Sequence, residues 1–250
     1  MYEKINEICK NFEPLSLEKA DGMRLFNRND TKFILKFELL PEILGLLEDK
    51  YFILEIENKR LLDYHTLYYD TSDKKMYHLH HNGKLNRYKI RQREYLVSGT
   101  TFLEIKFKNN KEHTIKKRIL REKFNSELQI KDNEFIKKNT PYSIENLQPA
   151  VTNFFTRITL INKTEKERIT IDYNLKFQTE TKKQKILNLV VAEVKREEPS
   201  CCSDFVKLLK SKKIYPSGMS KYCIGTVLTD NSVKKNIFKR KLLSINKLQK

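Results

Sequence analysis

The residues best suited to chemistry in this chain are cations set two apart. Arg87-Tyr-Lys89-Ile-Arg91-Gln-Arg93-Glu-Tyr95 is followed closely by Phe102-Leu-Glu104-Ile-Lys106-Phe-Lys108. Side chains two apart on a β-strand share a face, so Arg87, Lys89, Arg91 and Arg93 form one row and Glu104, Lys106 and Lys108 another. Neighbouring cations in such a row sit roughly 7 Å apart. At an effective dielectric of about 20 they repel by about 2 kcal/mol per pair before salt screening. A solvated outer face tolerates that repulsion, whereas a face aimed at a polyanion makes use of it.

The same spacing recurs along the chain in Arg28/Asp30/Lys32, Lys116/Arg118, Arg168 and Glu193/Lys195, each opposite an apolar face. In an open antiparallel sheet the polar face is simply wet. If the sheet curls into a closed barrel with this face inward, the charges converge on a polar lumen instead. Such a lumen repels itself unless a compact polyanion fills it. Arg offers forked donors to phosphate oxygens and Lys offers point charges. The interspersed carboxylates suit Mg²⁺ or Mn²⁺ bridging protein and phosphates.

These strands must be held by elements the rest of the sequence supplies. The chain has 250 residues, with 50 Lys and Arg against 32 Asp and Glu and a formal net charge of +18. That balance favours an anionic partner: nucleic acid, a membrane surface or a phosphate-rich small molecule. No window approaches the roughly 20 apolar residues of a membrane-spanning helix. The N-terminus lacks the basic-then-apolar pattern of a signal peptide. Cys9, Cys201, Cys202 and Cys223 lack CxxC spacing, which suits reduced thiols in a cytoplasmic protein better than a zinc site or a disulfide framework. With no linker rich in Gly, Ser or Pro and no fixed-period repeat, residues 1–250 read as one domain.

Ile5, Ile8, Cys9 and Phe12 predict a short amphipathic helix ending near Pro14. Pro41 opens a second helix expected to run through Leu44, Leu47 and Tyr51. Strands are expected at Leu62–Tyr69, Arg87–Tyr95, Thr101–Phe107, His113–Arg121, Phe154–Leu160, Glu167–Asp172 and Leu187–Lys195, with Phe177 beginning another strand or loop. Asp70-Thr-Ser-Asp73 closes one strand as a turn or helix cap. His78, His80 and His81 precede the turn pair Asn82-Gly83 and read as a loop or helix end rather than a metal site. Residues 125–150 read as helices and loops. Ser203-Asp204 caps a helix facing Phe205, Leu208 and Leu209 inward. The tail from Val233 to Lys250 carries seven Lys and Arg and no acids. It could touch an anionic membrane or nucleic acid, but a packed or frayed terminal helix is the preferred expectation, with its lysines on a solvated face.

In this order the motifs resemble the VTC-type polyphosphate polymerase domain of the triphosphate tunnel metalloenzyme (CYTH-like) superfamily. The matching pieces begin with Arg28-Asn-Asp30-Thr-Lys32, Tyr68-Tyr-Asp70-Thr71, Lys89-Ile-Arg91-Gln-Arg93, Leu103-Glu104-Ile-Lys106 and Lys116-Lys-Arg118. They continue with Phe155-Thr-Arg157, Arg168-Ile-Thr-Ile-Asp172, Glu193-Val-Lys195 and Ser220-Lys221-Tyr222, a core over residues 24–225. Each piece alone is weak, and their common order carries the signal.

The resemblance implies an α+β, mainly antiparallel fold: a closed, tunnel-shaped β-barrel with flanking helices. It implies an enzyme that transfers the γ-phosphoryl group of ATP onto a growing inorganic polyphosphate chain, with Mn²⁺ or Mg²⁺. By motif position, Arg28, Lys32, Lys89, Arg91, Arg93, Lys106, Lys116, Arg118, Arg157, Arg168, Lys195, Ser220 and Lys221 would contact substrate. Arg91, Arg93, Glu193 and Lys221 would serve the reaction, with Lys221 near the tunnel mouth. Glu193 would lead as metal ligand, with Glu104 second. Asp172 is expected to cap or pair structurally. Asp30 stands where the family usually has Glu, and Phe155 where it has Tyr. Three alternatives stand beside the polymerase: a tunnel triphosphatase, a non-catalytic module binding polyphosphate or inositol polyphosphate, and a nucleic-acid binder. The last is weakest, because no recognition motif of the usual kinds appears.

Overall fold

The computed structural model describes residues 1–23, 25, 29–111, 113–197 and 203–249. Arg28 and the adjacent Cys201 and Cys202 lie outside them, so the expectations placed on those three are not addressed. In chain order the first elements are α1 (Tyr2–Asn11), β1 (Glu13–Ser16), α2 (Leu17–Gly22), β2 (Asn29–Lys36), α3 (Leu40–Gly45) and β3 (Tyr51–Glu55). Next come β4 (Leu62–Asp70), α4 (Lys75–His81), β5 (Arg87–Tyr95), β6 (Thr100–Lys108), β7 (Thr114–Arg121) and α5 (Ile130–Asn139). The chain continues through β8 (Gln148–Asn162), β9 (Glu167–Gln178), β10 (Lys183–Ile186) and β11 (Leu189–Arg196). It ends with α6 (Asp204–Ser211), α7 (Lys221–Thr229) and α8 (Lys239–Gln249).

The fold is α+β, built on a large antiparallel sheet with flanking helices. The main path runs β2-β11-β9-β8-β4-β5-β6-β7, with β3 and β10 attached to β8 and β9 and β1 to β3. Its alternation sorts the two faces. Phe33, Leu35, Ile158, Leu160, Ile169, Ile171, Val190, Ala192 and Val194 point to the convex side. There they pack with Ile5, Cys9 and Phe12 of the α1 region, Ile43 and Leu44 of α3, and Phe205 and Leu209 of α6. Ser203 caps α6 as expected, its Oγ accepting from Val206 N at 3.2 Å. A second apolar layer joins Leu67, Tyr69, Ile90, Leu103 and Ile105 to Met76 of α4 and Ile136 of α5.

The polar face is concave. β11 and β6 are five steps apart along the path. In a flat sheet that would separate them by about 24 Å. Yet Glu193 on β11 acts on the Lys106 ammonium of β6, so the sheet must curl round to bring them together.

Hydrogen bonding does not close that curl, which corrects the expectation of a closed barrel. Among the described residues β2 and β7 do not pair. The outer edge of β2 is taken instead by the segment before α7: Phe33 bridges Pro216, and Ser217 N donates to Lys32 O at 2.7 Å. The other edge, β7, carries consecutive Lys116, Lys117 and Arg118, which discourage strand addition.

Two other expectations shift. The Pro41 helix ends at Gly45, and Tyr51 begins β3 because its ring belongs to the convex core, with its hydroxyl donating to buried Glu167 at 2.5 Å. Phe177 does not begin a strand: it lies near the end of β9, which runs past Asp172 to Gln178. The tail forms the packed alternative: Phe238 and Ile245 are buried against the core, and the Gln249 side chain accepts from Leu187 N at 3.2 Å. Among the described residues no helix is long and apolar enough to cross a membrane.

Candidate phosphate-binding site

The register assembles three groups of charge on the concave face. On the β5–β7 wall, Arg91 stands opposite Glu104, and Lys89 opposite Lys106, which in turn faces Lys116. Glu104 is fully buried. One of its oxygens accepts from Arg91 Nε at 2.7 Å and from Nη2 at 2.5 Å, and the other meets the Lys116 ammonium. Burial would raise this carboxyl, but Arg91, Arg93 and Lys116 outweigh it and hold it far below the usual carboxylate range. Glu104 therefore keeps cations in place across strands, not with Lys106 along its own strand.

The second group lies where α7 meets the β8–β9 wall. Arg157 and Asp172 are register partners, and Asp172 accepts from Arg157 Nε at 2.6 Å and Nη2 at 2.8 Å. Asp172 also accepts from Lys221 Nζ. Here too burial opposes ionisation and loses to Arg157 and Lys221, so the carboxyl stays depressed. The Phe155 ring is approached by Lys221 at 4.6 Å, Arg157 at 5.3 Å and Arg93 at 5.7 Å, while Tyr64 stacks on it at 5.0 Å. Phe155 thus lies among cations whose charge the ring face can share. The expected pairing role of Asp172 holds.

The third group is on β11 and β2. Glu193 meets Lys195 of its own strand and Lys32 across the ladder at 3.2 Å. Lys195, Lys32 and Lys106 together overcome its burial and hold its carboxyl well below the ordinary value. Lys195 also donates to Thr170 Oγ1 at 3.5 Å.

Lys221 arrives at this face because α7 enters the open end of the curl. Ser220 caps α7, its Oγ accepting from Cys223 N at 3.3 Å and from Lys89 Nζ at 3.1 Å. One turn on, Gly225 passes so close to β8 and β9 that a Cβ there would lie 2.5 Å from the Phe177 ring and 3.2 Å from Val151. Tyr222 stacks near Tyr68 at 5.1 Å and donates to Asp70. Asp70 also accepts from Met76 N and Tyr77 N at 2.9 Å, so it shapes the turn into α4 as expected and ties β4, α4 and α7 together. The ammonium of Lys221 consequently sits against buried Asp172.

Most of the cations expected at the site are gathered: Lys32, Lys89, Arg91, Arg93, Lys106, Lys116, Arg157, Lys195 and Lys221 line the curl. Lys106 makes no ion pair within 4.0 Å among the described residues, and its pKa is pushed well below the ordinary Lys value by Arg91 and then by burial. Arg118 lies on exposed β7 over the Phe102 ring at 4.3 Å, and Arg168 donates to Ala20 O beside α2. Tyr64 escaped the sequence reading, and Tyr68 entered it as a motif residue with no role at the site. Arg91 Nη1 donates to the Tyr68 hydroxyl at 3.4 Å, and Arg93 stacks 5.4 Å from Tyr64. Burial alone would raise the Tyr68 phenol, but Arg91, Arg93 and Lys89 draw it below its usual value. The alternation of Tyr64, Thr66 and Tyr68 on β4 was the signal that could have found them.

Among the described residues no three His, Cys, Asp or Glu side chains gather as a metal-binding group. Glu104 does not fit a metal, because its side chain is fully buried with both oxygens against cations. Glu193, whose side chain is 20% exposed, offers one reachable carboxylate. Mg²⁺ commonly takes one or two carboxylates together with substrate phosphates, so this donor fits a Mg²⁺ or Mn²⁺ shared with a bound triphosphate. The histidine cluster lies on α4 and has no carboxylate beside it in a metal-binding group.

The VTC domain pattern matches residues 27–229. No curated protein matches the chain. Among solved structures, a Hippeastrum protein proposed as an adenylyl cyclase and described as having a dominant triphosphatase activity superposes with a TM-score of 0.51 at 13% identity, covering 80% of this chain and 95% of that one. A Bacillus halodurans protein proposed as an adenylate cyclase gives a TM-score of 0.48 at 11% identity, over 78% of this chain and 96% of its own.

Proposed function

Because the chain belongs to the VTC domain family, we propose that it is a polyphosphate polymerase that transfers the γ-phosphoryl group of ATP onto a growing inorganic polyphosphate chain. In this reading the curled sheet works as a tunnel. The observation that carries it is the convergence of Lys106 with the Arg91–Glu104–Lys116 group on one side and Glu193 on the other, with cations outnumbering carboxylates inside the curl. An arriving phosphate would favour the Lys106 ammonium, which Arg91 and burial disfavour in the empty site.

Phosphoryl transfer of this kind asks for positioning and charge neutralisation more than for covalent chemistry. A terminal oxygen of the polyphosphate attacks the γ-phosphorus, the bond to the β,γ-bridging oxygen breaks, and ADP carries away the electron pair. Arg91 and Arg93 face the equatorial oxygens, where Arg forks match phosphate geometry. Glu104 and Tyr68 hold the Arg91 guanidinium, and Thr66 accepts from Arg93 Nε at 3.2 Å. Lys106, Lys116 and Lys195 neutralise the bridging region, and Lys32 and Lys89 extend the cationic track. Lys221, steered by Asp172, supports the transferring group or the growing chain. A divalent cation held by Glu193 and the phosphates would neutralise charge developing on the β- and γ-oxygens.

The test is to incubate purified protein with ATP and Mn²⁺ or Mg²⁺ and resolve the products on a gel. Long phosphate chains with ADP support the polymerase. Orthophosphate alone would make the protein a tunnel triphosphatase, with water in place of the chain as acceptor. Tight polyphosphate binding without turnover would make it a binding module. Preference for duplex DNA over polyphosphate would sink the tunnel reading.

A further inference from the structure

A second group of cations lies outside the Arg91–Glu104 cage, at the end of the curl covered by α4 and α8. His80 of α4 is its centre. Its Nδ1 is buried and meets no hydrogen-bond partner among the described residues. Its ring stacks 6.3 Å from Phe238, the residue that leads into α8. Burial first, then the nearby Lys89, Arg87, Lys108 and Lys32, push the His80 pKa down to about 3. The Lys89 ammonium donates to the Ser220 hydroxyl at 3.1 Å, and the Arg87 guanidinium donates to Lys84 O at 2.6 Å.

α8 adds to this group from beyond the family's matched residues, which end at 229. Phe238, Lys241 and Ile245 share one helical face, and Phe238 and Ile245 are buried in the core. Lys241 is half-buried on that same face, whereas Lys239 and Arg240 are exposed. The sequence reading had placed Lys241 with those two on a solvated face. In the fold it is turned inward, where burial and then the nearby Lys32 lower its pKa. Half-buried cations around a ring nitrogen that meets no hydrogen-bond partner among the described residues form a site for oxyanion oxygens.

We propose that His80, Arg87, Lys89 and Lys241, with Lys32 linking them to the lumen, form a distal phosphate subsite that holds a polyphosphate chain beyond the reacting triphosphate. The proposal rests on the polymerase reading and extends it. Lys241 makes this track a property of the chain's own C-terminal helix, so chain-length preference is set partly from outside the shared domain.

The experiment measures binding of tripolyphosphate and of long-chain polyphosphate to the full chain by calorimetry. Lys241→Glu places an acid among cations and so does not threaten folding. It should weaken long-chain binding about fivefold, the scale of one or two partly exposed charge contacts, while tripolyphosphate binding stays within about twofold. His80→Gln should act in the same direction. Lys239→Glu makes the same charge change on the exposed side and should leave the ratio of the two affinities unmoved. Equal weakening of both ligands by Lys241→Glu, or none of either, overturns the subsite while leaving the polymerase reading intact. A wild-type protein that binds neither ligand overturns both.

Discussion

Arg157 grips Asp172 through two parallel hydrogen bonds, at 2.6 and 2.8 Å, and so presents the carboxylate to Lys221. The two residues are direct partners across the β8–β9 ladder, and Asp172 is almost wholly buried. The carboxylate therefore fixes where two cations of the proposed site stand.

Asp172→Asn should destabilise the fold by about 3–5 kcal/mol, the usual cost of leaving buried charges without their counter-ion. Urea denaturation at neutral pH measures this. The sign of the pH dependence follows from the direction of the shift. Asp172 has a folded pKa below its ordinary 3.8, so its stabilisation is fully present above that pH and is lost as the pH falls toward the folded value. In the variant, stability should fall less steeply with acid below about pH 4 than in the wild type. An unchanged acid limb would show that Arg157 and Lys221 do not depend on Asp172.

Glu193→Gln separates metal from phosphate. Glu193 meets both Lys32 and Lys195, and neutralising it releases two cations toward an incoming polyanion. Polyphosphate binding should be retained or tightened, while metal-dependent turnover falls by at least about 10²-fold, the scale of losing a main electrostatic contributor. Titrating Mn²⁺ against turnover checks this, since a surviving metal dependence with unchanged midpoint would remove Glu193 from the metal role.

The rows of charge were legible because strand alternation is written residue by residue, and Arg91, Glu104, Lys106 and Glu193 all face as their spacing requires. What they would pair with was not. Glu104 has cations available at several spacings, and only the β5–β6–β7 register selects Arg91 and Lys116. The open seam was hidden for a related reason. The bond from Ser217 N to Lys32 O is between backbone groups far apart in sequence, and no side-chain pattern announces it. Lys241 was misread through composition, since a run of basic residues looks solvated until Phe238 and Ile245 fix which face is buried.

Gly225 offers a test of how α7 positions Lys221. Gly225→Ala would place a methyl 2.5 Å from the Phe177 ring, so helix or ring must shift. Overpacking of this kind costs typically about 1–3 kcal/mol. Because Lys221 begins the same helix, turnover should fall more than stability alone explains. Adding Phe177→Leu to Gly225→Ala makes room and should recover part of both losses, measured by thermal unfolding and by steady-state kinetics on the same samples. A stable, fully active Gly225→Ala protein would mean that α7 tolerates displacement and that its seat does not set the site.

Lys116 supplies a proton signature for binding. Burial pulls its pKa down to about 8, and Glu104 only partly offsets this. Near pH 8 the free protein is therefore a mixture of charged and neutral Lys116. A bound triphosphate favours the ammonium and raises the pKa, so binding at pH 8 should take up protons. Calorimetry in buffers of different ionisation enthalpy reads that uptake directly. Affinity should decline as the pH rises above about 8, because an increasing part of the binding energy goes into reprotonating the lysine. Lys116→Arg keeps the charge but cannot lose it in this range, and should abolish most of the uptake while retaining binding. Undiminished uptake in that variant would move the assignment to another depressed lysine of the wall, with Lys106 the first to examine by the same substitution.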